Sequence, residues 1–594
     1  MSSKNIRSLS TGQNQSANWV ADFETTTNPD DCRVWGWGLV SIDDPDGPVE
    51  IDNSIGSFMA RVMTMNSVVY FHNLGFDGRF LLDWLLKNGY EHVLGKNVKW
   101  GEFRTMISKQ GKFYSMTVRW MNGKRTEFRD SLKKLPMSVS YIARSFNTPE
   151  LKGTIDYNLD RPIGWEITPE ERKYIENDVR IVAHALRTQL IAGMTGLTVG
   201  ADSLKEFKRM LGKGFERLFP ILNDTMDSEV RRAYRGGWTY ADPRYRAQVL
   251  ERPIRVYDVN SLYPSVMYDR MLPYGEPVWC EGKPKISELY PLFICTITFT
   301  AKLKKNHLPC IQVKSNPFFA PSEYQENIDE PLTLTCTNVD LELWREHYDL
   351  NILVWEGAWQ FKGMAGLFQP YIDKWMEVKK NSKGGLREIA KLHLNSLYGK
   401  FATNPDVTPK IPELDETGIV KLVTGEEELR NPVYTPMGVF ITAYAREVTI
   451  RAAQNNYDSF AYADTDSLHL LTDTDPDTLT VDPGALGAWK FEGEFISGIY
   501  VRAKCYTERH PLHVCTCDIR PPMAHLRGCG YDTHIAGLPD GIASRVEFSD
   551  YYDGHEFRGK LVPRVVPGGV VLVETTWKLS DVALLTHNAI GSSI

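Results

Sequence analysis

FAYADTDSLHL, at residues 460–470, carries an apolar run to two acids one position apart and then continues as an apolar run. This pattern predicts a β-hairpin with acids at its turn. Side chains alternate with period two in a strand, so Asp464 and Asp466 face the same way and both carboxylates can reach one divalent cation. Such pairs also occur by chance in a chain rich in acids. The meaning of this one therefore depends on the motifs that accompany it.

The composition is that of a globular protein with several domains. A chain of 594 residues predicts about three or four domains. Hydrophobic residues make up 42% and charged residues 24%, which is ordinary for a folded protein. No apolar run approaches the ~18 residues that span a bilayer. The N-terminus lacks the apolar core of a secretory signal, so we expect no membrane association and a cytosolic protein.

Cysteines form no regular framework. Nine in a chain of this length indicate reduced intracellular thiols rather than disulfides. One cluster allows a zinc site as an alternative to ordinary thiols, although its Cys-x-Cys spacing departs from the usual Cys-x-x-Cys. Its members are Cys515, Cys517, Cys529, His510, His513 and His525.

The net charge of -7 argues against a general nucleic-acid coat protein, but one stretch is strongly basic. Residues 96–134 hold eleven Lys or Arg against three acids. Aromatic residues are interleaved with them: Trp100, Phe103, Phe113, Tyr114, Trp120 and Phe128. A basic, aromatic hairpin can hold single-stranded nucleic acid through phosphate contacts and base stacking. The alternative is a solvated sheet face.

A first group of acids lies in the N-terminal third. Asp22 and Glu24 end a predicted strand and point the same way. Asp77 opens a predicted helix that follows the strand at residues 68–71. A second helix is predicted after Thr168, where an N-cap is followed by Pro and early acids. Tyr174 and Asp178 are four apart and share one face of that helix.

Four acids delivered by two strands and two helices suit two metal ions that hydrolyse a phosphodiester. Clustered carboxylates repel one another unless cations neutralise them. Tyr174 is placed to orient an attacking water. In order and spacing, these elements resemble the three motifs of the DEDDy 3′–5′ exonucleases, including the YxxxD that defines the subclass.

A second group of acids lies further along the chain. Asp258 ends a strand in the motif DVNSLYPS, in which Tyr263 follows on a turn. Basic residues then recur every four positions, and on a single helix they form one stripe that continues to Asn395 and Tyr398. They are Lys379, Lys383, Arg387 and Lys391. The alternative to a ligand-facing helix is a solvated surface helix.

DVNSLYPS, KLHLNSLYG and YADTDS resemble motifs A, B and C of the family B DNA polymerases. YRGG at residues 234–237 and KCY at residues 504–506 extend the resemblance to the protein-primed enzymes of phi29-like bacteriophages. Ser131-Leu132 and Lys152 match further motifs of that family. The similarity runs from about residue 20 to about residue 578.

The resemblance implies roles for individual residues. The expected catalytic residues are Asp258, Asp464, Asp466, Asp22, Glu24, Asp77, Asp178, Tyr174 and Lys152. The expected nucleotide-binding residues are Val259, Tyr263, Lys379, Arg387, Lys391, Asn395 and Tyr398. DNA is expected to contact Asn73, Phe76, Ser131, Leu132, Tyr234, Gly236, Gly237, Lys504 and Tyr506. Mg²⁺, which Mn²⁺ can replace, is expected on Asp22, Glu24, Asp178, Asp258, Val259, Asp464 and Asp466.

The resemblance also implies a multidomain α/β fold, with an RNase H-like exonuclease followed by a right-hand polymerase whose palm is α+β. The expected domains are the exonuclease at 1–195, with a polar extension to 18, palm segments at 196–269 and 432–534, and fingers at 368–404. Terminal protein regions are expected at 270–367 and 405–431, the thumb at 535–578 and a tail at 579–594.

The expected function is replicative DNA synthesis with proofreading, strand displacement and priming on a terminal protein. The expected partners are template and primer DNA, deoxynucleoside triphosphates and that terminal protein, bound by a monomer in the cytoplasm of an infected bacterium. Two alternatives remain open from the residues alone. One is a family B polymerase that extends ordinary primers, as in repair, and the other is a catalytically silent DNA-binding subunit.

Overall fold

The computed structural model describes residues 17–313, 324–511 and 530–580. The chain forms an N-terminal unit on one large sheet and a C-terminal part on several smaller sheets. None of the helices in these three stretches has the length and apolar character that a bilayer crossing requires.

An eight-stranded mixed sheet is the centre of the N-terminal unit. Its strands are β1 (Ala17–Thr25), β2 (Val34–Ser41), β3 (Glu50–Asp52), β4 (Ser67–Phe71), β5 (Glu91–His92), β6 (Glu102–Ile107), β7 (Phe113–Arg119) and β8 (Arg125–Asp130). They lie in the order β3-β2-β1-β4-β8-β7-β6-β5. The helices of this unit are α1 (Ile55–Val62), α2 (Leu74–Lys87), α3 (Val139–Phe146) and α4 (Pro169–Ile191).

Local sequence signals account for the helices that carry acids. The predicted helix after Thr168 is confirmed, because the Thr168 hydroxyl and the Glu171 carboxylate form a capping box at the start of α4. The helix predicted to open at Asp77 is confirmed as α2. It begins earlier, at Leu74, and places Asp77 in its first turn. An acid in the first turn is favoured by the helix dipole.

The C-terminal part begins with helices and the first strands of a central sheet. These elements are α5 (Val199–Leu211), α6 (Gly214–Leu218), α7 (Asp224–Arg231), β9 (Thr239–Ala241), β10 (Val249–Leu250), β11 (Ile254–Val259) and α8 (Leu262–Asp269). A separate antiparallel sheet follows, with one helix between its last two strands. Its elements are β12 (Leu272–Glu281), β13 (Leu292–Leu303), β14 (Asn327–Thr337), α9 (Asn338–His347) and β15 (Tyr348–Met364).

The chain then forms helices, a short hairpin and a long buried helix. These are α10 (Gln369–Asn381), α11 (Gly385–Ser396), α12 (Tyr398–Phe401), β16 (Lys410–Leu414), β17 (Val420–Thr424) and α13 (Thr435–Asn455). The remaining elements are β18 (Phe460–Asp464), β19 (Ser467–Leu470), β20 (Trp489–Phe495), β21 (Ser497–Arg502), β22 (Cys505–Arg509), β23 (Tyr531–Ile535), α14 (Asp540–Ala543), β24 (Glu556–Val566) and β25 (Gly569–Lys578).

The hairpin predicted at residues 460–470 is confirmed as β18 and β19, with Thr465 and Asp466 at its turn. It lies inside a five-stranded sheet in the order β20-β11-β19-β18-β9. Asp258, near the end of β11, is opposite Ser467 of β19. A second, separate sheet has the order β10-β21-β22-β23. The acids of the two sequence motifs therefore meet at one end of the central sheet.

The prediction of a single basic helix is wrong. Lys379 belongs to α10, whereas Arg387 and Lys391 belong to α11, and the chain turns between them at Gly384, which has φ of +57°. A Cβ on the next residue, Gly385, would lie 2.6 Å from the Phe146 ring. The glycine pair thus permits the turn and the close packing, and a four-residue spacing of charges does not detect such a break.

Two C-terminal hairpins pack against the N-terminal unit. Val420 of β17 and Val570 of β25 are buried in the same apolar cluster as Phe80 of α2. At the tip of the β24–β25 hairpin, the Gly568 N–H donates to Asp83 Oδ1 at 3.1 Å. A Cβ on Gly568 would lie 2.3 Å from the Cys32 carbonyl oxygen. The tip can approach this closely only because position 568 has no side chain.

We predict that Gly568→Ala releases the hairpin tip from the N-terminal unit. The substitution adds a Cβ clash of about 1–3 kcal/mol to the cost of about 1–2 kcal/mol for alanine at positive φ. Gly554→Ala is the matched control, because Gly554 has φ of +85° and its Cβ would meet only the Lys578 side chain at 3.4 Å. Hydrogen exchange should accelerate in β25 and α2 for the first variant alone. Equal exchange in both variants would contradict the docking role.

Candidate active sites

The N-terminal site is built from four acids on one strand and two helices, so the prediction that two strands and two helices deliver them is wrong in its second strand. Asp22 and Glu24 lie on β1, Asp77 on α2 and Asp178 on α4. The Phe23 N–H donates to Asp77 Oδ1 at 3.3 Å, which ties α2 to β1. The strand and two helices thus bring together acids that are far apart in the sequence, such as Asp22 and Asp178.

These acids oppose one another's ionisation. Burial, and then the charge of Asp178, raises the pKa of Asp22 to about 7. Burial and the charge of Asp22 raise the pKa of Glu24 and that of Asp77 well above their usual range. Burial also raises the pKa of Asp178, against the opposing effect of Lys152. The site is unfavourable for four negative charges unless cations join them.

The basic and phenolic groups of this site are also in place. Lys152 Nζ pairs with Asp178 Oδ2 at 2.6 Å, and the Tyr174 hydroxyl is 2.7 Å from that of Tyr157. Asp178 Oδ1 is buried and has no hydrogen-bond partner among the described residues. An orphaned carboxylate oxygen beside three other acids fits a divalent cation, because hard cations prefer carboxylate ligands.

The residues predicted to contact DNA in this unit lie at the ends of β4 and β8. The Asn73 N–H donates to Asp130 Oδ1 at 3.1 Å, and Phe76 lies against Phe80. Leu132 is half-buried. Ser131 is fully buried, and its hydroxyl donates to the Phe71 carbonyl at 3.1 Å. Contact between these residues and DNA stays a prediction.

The prediction of an aromatic stacking surface at residues 96–134 is wrong for most of its rings. Phe103, Phe113, Trp120 and Phe128 are buried in the apolar core between the sheet and α2. Trp100 is exposed. Strand periodicity shows that alternate residues share a face, but it does not show which face is covered, and here the aromatic face is the core.

The second site lies where β11 meets the β18–β19 hairpin. The Val259 N–H donates to the Asp466 carbonyl at 2.8 Å, which fixes the two strand ends side by side. Burial, and then the charge of Asp466, raises the pKa of Asp258 to about 7. Burial likewise raises the pKa of Asp466. Two mutually destabilised carboxylates at one point again fit a divalent cation.

Asp464 has partners of its own in this site. Its carboxylate pairs with Lys504 Nζ at 3.1 Å and accepts from the Thr239 hydroxyl at 3.0 Å. Thr465, with φ of +60°, separates it from Asp466. Thr239 was not predicted, and no motif in the sequence marks it. A signal that could have pointed to Thr239 is its position two residues after Gly237 of the YRGG motif, since residues two apart in an extended chain face the same way.

Cations and aromatic rings lie beside the second acid site. The Tyr263 and Tyr398 rings are stacked with centroids 4.0 Å apart and planes 11° apart. Lys379 Nζ donates to the Ser261 hydroxyl at 3.2 Å, and Ser261 lies between β11 and α8. Burial, and then the charges of Arg387 and Lys391, lowers the pKa of Lys379. Arg387 and Lys391 are thus near enough to disfavour the charged form of Lys379.

The other predicted nucleotide-binding residues lie on α11. The Arg387 guanidinium donates to the Lys379 carbonyl at 3.1 Å, and Lys391 pairs with Glu388 at 2.7 Å. Asn395 is exposed on α11. The helix break therefore still leaves Arg387 of α11 in hydrogen-bond contact with Lys379 of α10.

The YRGG segment passes close behind the hairpin turn. A Cβ on Gly237 would lie 2.5 Å from the Thr465 side chain, whereas Gly236 faces open space. Arg446 of α13 donates to the carbonyls of Arg235 at 2.8 Å and Gly236 at 3.0 Å. Tyr234 is part of the apolar surround. Glycine at position 237 is required by this approach.

The KCY segment lies on the other side of the hairpin. The Lys504 N–H donates to the Tyr462 hydroxyl at 2.8 Å, and Lys504 has φ of +55°. The Tyr506 ring lies 4.8 Å from that of Tyr462. The zinc alternative is not addressed by the structure. Of its six residues only His510 is described, and the other five lie within 512–529, outside the described part of the chain.

Comparison with known proteins identifies the family. The family model described as DNA polymerase type B, organellar and viral, matches residues 59–161 and 150–482. The DNA polymerase of Bacillus phage Nf is 45% identical over 580 residues, which cover 94% of this chain and 98% of the relative. That of Bacillus phage phi29 is 44% identical over 578 residues, with the same coverage. That of Streptococcus phage Cp-1 is 33% identical over 587 residues, or 95% of this chain and 98% of the relative.

Solved structures are similar over the same length. Phi29 DNA polymerase complexed with primer-template DNA and incoming nucleotide substrates has a TM-score of 0.87 and 42% identity, covering 95% of this chain and 100% of that chain. The complex with primer-template DNA alone has a TM-score of 0.88 with the same identity and coverage. The predicted fold class, an exonuclease unit followed by a polymerase, is confirmed.

The fold and its acid sites define a DNA-directed DNA polymerase with a 3′–5′ exonuclease, a class that depends on divalent metal ions. The chain belongs to the type B DNA polymerases, and within them to those of the phi29-like phages.

We predict that Asp22→Asn stabilises the metal-free protein at about pH 8. A folded-state pKa of about 7 against an ordinary value of 3.8 means that ionised Asp22 costs stability, by at most about 4 kcal/mol. The cost is absent below the ordinary pKa and grows as the pH rises to the folded value. Metal-free thermal unfolding should therefore favour the variant at about pH 8 and differ little at about pH 4.

Asp43→Asn is the control for that measurement, because Asp43 is an exposed acid of the same unit. It should leave the unfolding temperature unchanged at both pH values. A wild type that is as stable as Asp22→Asn at about pH 8 without metal would contradict the repulsion described for this site.

Proposed function

We propose that the chain copies a DNA template at the site around Asp258 and Asp466, and removes nucleotides from the primer 3′ end at the site around Asp22 and Asp178. One observation carries this proposal: a single chain holds two acid clusters on two different sheets, each with carboxylates whose ionisation is suppressed. Two separate sites are what synthesis and excision by one enzyme require.

In the synthetic site, Asp258, Asp466 and the Val259 carbonyl would hold Mg²⁺. The ions supply electrostatic stabilisation of the charge that develops on the phosphoryl group and the primer 3′-oxygen. Asp464 has a different task in this proposal. Since Lys504 and Thr239 hold its carboxylate, it keeps the hairpin turn and the lysine in a fixed relation.

The nucleotide would enter between the tyrosine pair and the cations of α10 and α11. Lys379 lies at Ser261, and Arg387 and Lys391 disfavour its charged form, an effect that a bound triphosphate would relieve. Tyr263, held flat against Tyr398, would lie under the sugar and exclude a 2′-hydroxyl, while Asn395 and Tyr398 border the nascent pair. Template pairing would choose the base.

In the nuclease site, Asp22, Glu24 and Asp178 would hold Mg²⁺, with Asp77 completing the acidic group. Lys152 keeps one oxygen of Asp178 neutralised and leaves the other free to bind a ligand. The Tyr174 hydroxyl, fixed by that of Tyr157, would orient the attacking water. Asn73, Phe76, Ser131 and Leu132 would line the path of the frayed 3′ end.

Primer-template DNA, which phi29 DNA polymerase holds in the solved complexes, would lie over the central sheet. Tyr234, Gly236 and Gly237 would contact the template, because Gly236 leaves backbone open and Gly237 lets the segment lie directly beside the hairpin turn. Lys504 and Tyr506 would steady the primer terminus from the opposite side.

We also propose priming on a terminal protein, in keeping with the phi29-like relatives. The sheet formed by residues 272–364 and the hairpin at 410–424 fall within the segments expected at 270–367 and 405–431. The first would grip the priming protein, and the second would surround the template and promote strand displacement. The protein would act as a monomer in the cytoplasm of an infected bacterium. The exonuclease, palm, fingers and thumb would have the bounds given in the sequence analysis.

We predict that the two activities separate by mutation. Asp466→Ala should reduce template-directed synthesis by about a thousandfold or more, because several kcal/mol of transition-state stabilisation depend on its site. Digestion of a labelled single strand should persist. Asp178→Ala should do the reverse, and extension and digestion of one labelled substrate in Mg²⁺ measure both. Loss of both activities in either variant would mean that the two sites are not independent.

We predict that the first nucleotide can be attached to protein. The enzyme, a terminal protein of the phi29-like class and a labelled deoxynucleotide should give a labelled protein that survives denaturation, and Asp466→Ala should give none. An enzyme that extends DNA primers but labels no protein, with several such terminal proteins, would favour the alternative of a polymerase that uses ordinary primers.

A further inference from the structure

A carboxylate and an imidazole are buried together beneath the synthetic site, and the chemistry above does not use them. Glu508 of β22 and His469 of β19 are each 2% exposed. His469 Nδ1 is 2.7 Å from Glu508 Oε1. The Tyr500 hydroxyl donates to the same oxygen. One oxygen of Glu508 thus links this residue of β22 to His469 of β19 and Tyr500 of β21.

Aromatic rings enclose the imidazole. The rings of Tyr462, Tyr500 and Tyr506 stand edge-on to it, with centroids at 5.1, 5.6 and 5.0 Å. Tyr462 precedes Asp464 by two residues, and Tyr506 belongs to the KCY segment. The buried group therefore lies between the catalytic hairpin and the strand expected to hold the primer end.

Among the described residues, β22 is not a direct ladder neighbour of β18 or β19. β18 and β19 belong to the five-stranded sheet, whereas β22 belongs to the sheet with the order β10-β21-β22-β23. The backbone connects β22 to the hairpin only through other strands: β22 pairs with β21, β21 follows β20 in the chain, and β20 pairs with β11 beside β19. Direct contacts between β22 and the hairpin are therefore made by side chains. The Glu508 carboxylate, bonded to both sheets, makes such a contact.

Stability alone does not account for a carboxylate at this position. Burying an ionised group costs several kcal/mol, and replacing a buried ion pair with apolar side chains of similar size is often neutral or stabilising. A directional acceptor, by contrast, fixes the two groups that donate to it. The carboxylate is therefore better explained by geometry than by stability.

We propose that Glu508 is a positioning residue for the primer terminus. By accepting from His469 it ties β22 to strand β19 of the hairpin, and by accepting from Tyr500 it ties β22 to its neighbour β21, so that Lys504 and Tyr506 present the primer 3′ end to Asp258 and Asp466. Loss of these ties weakens the hold on the primer end and transfers it more often to the nuclease site. This inference rests on the proposed roles of the two sites.

The test compares Glu508→Leu with Glu508→Gln. The amide oxygen of glutamine can accept from both donors, whereas leucine fills similar space and accepts from neither. Glu508→Leu should raise the KM for primer-template about tenfold, in line with the loss of a hydrogen bond to a charged group, while kcat changes little. It should also raise the ratio of excision to synthesis on one primer-template at fixed nucleotide concentration. Glu508→Gln should restore both values to within about twofold of wild type.

Digestion of single-stranded DNA reports on the nuclease site alone and should be the same in all three proteins, which controls for folding of the N-terminal unit. The retained kcat for synthesis controls for folding of the C-terminal part. If Glu508→Leu does not fold, Tyr500→Phe serves instead, because it removes one donor and keeps the ring. It should shift the KM and the excision ratio in the same direction by a smaller factor.

Wild-type KM and excision ratio in Glu508→Leu or in Tyr500→Phe would overturn the proposal, and so would equal losses in the leucine and glutamine variants. Failure of the proposed function itself is distinguishable. In that case the wild type would show no template-directed synthesis, before any variant is compared.

Discussion

Repulsion between buried carboxylates is the constraint on which this structure depends. Packing around Asp22 and Asp258, together with their acidic neighbours, raises the pKa of each to about 7. A fold that gathers acids in this way loses stability unless cations accompany them. The elements that deliver the acids are therefore held by other means: a capping box at Thr168, the Phe23 N–H on Asp77, and the Val259 N–H on the Asp466 carbonyl.

The supports around the hairpin show how such a site is kept rigid. Arg446 of the buried helix α13 holds the carbonyls before Gly237, and Gly237 lets that segment pass within contact of Thr465. Lys504 holds Asp464 from the other side. The turn that carries the acids is thus held by Gly237 and Thr465 on one side and by the pair of Lys504 with Asp464 on the other.

Features that depend on local pattern could be predicted from the sequence. The hairpin at residues 460–470 follows from period-two alternation, and α4 from its N-cap and Pro169. Features that depend on what lies opposite could not. Periodicity did not detect the break at Gly384, which exists because Phe146 packs there, or the burial of the aromatic face at residues 96–134. The bond between His469 and Glu508, separated by 39 positions, exists only because two sheets meet.

The cations beside the synthetic site are subject to a similar electrostatic constraint. Burial and neighbouring charges lower the pKa of Lys379, just as they raise that of Asp258, so the charged form of each is disfavoured in the free protein. Lys379 lies against Ser261, three residues after Asp258. A cationic and an acidic group, each with a disfavoured charged form, thus lie on neighbouring parts of the synthetic site. A triphosphate that arrives with divalent cations neutralises both sides at once, so binding energy is available only to a ligand that carries both.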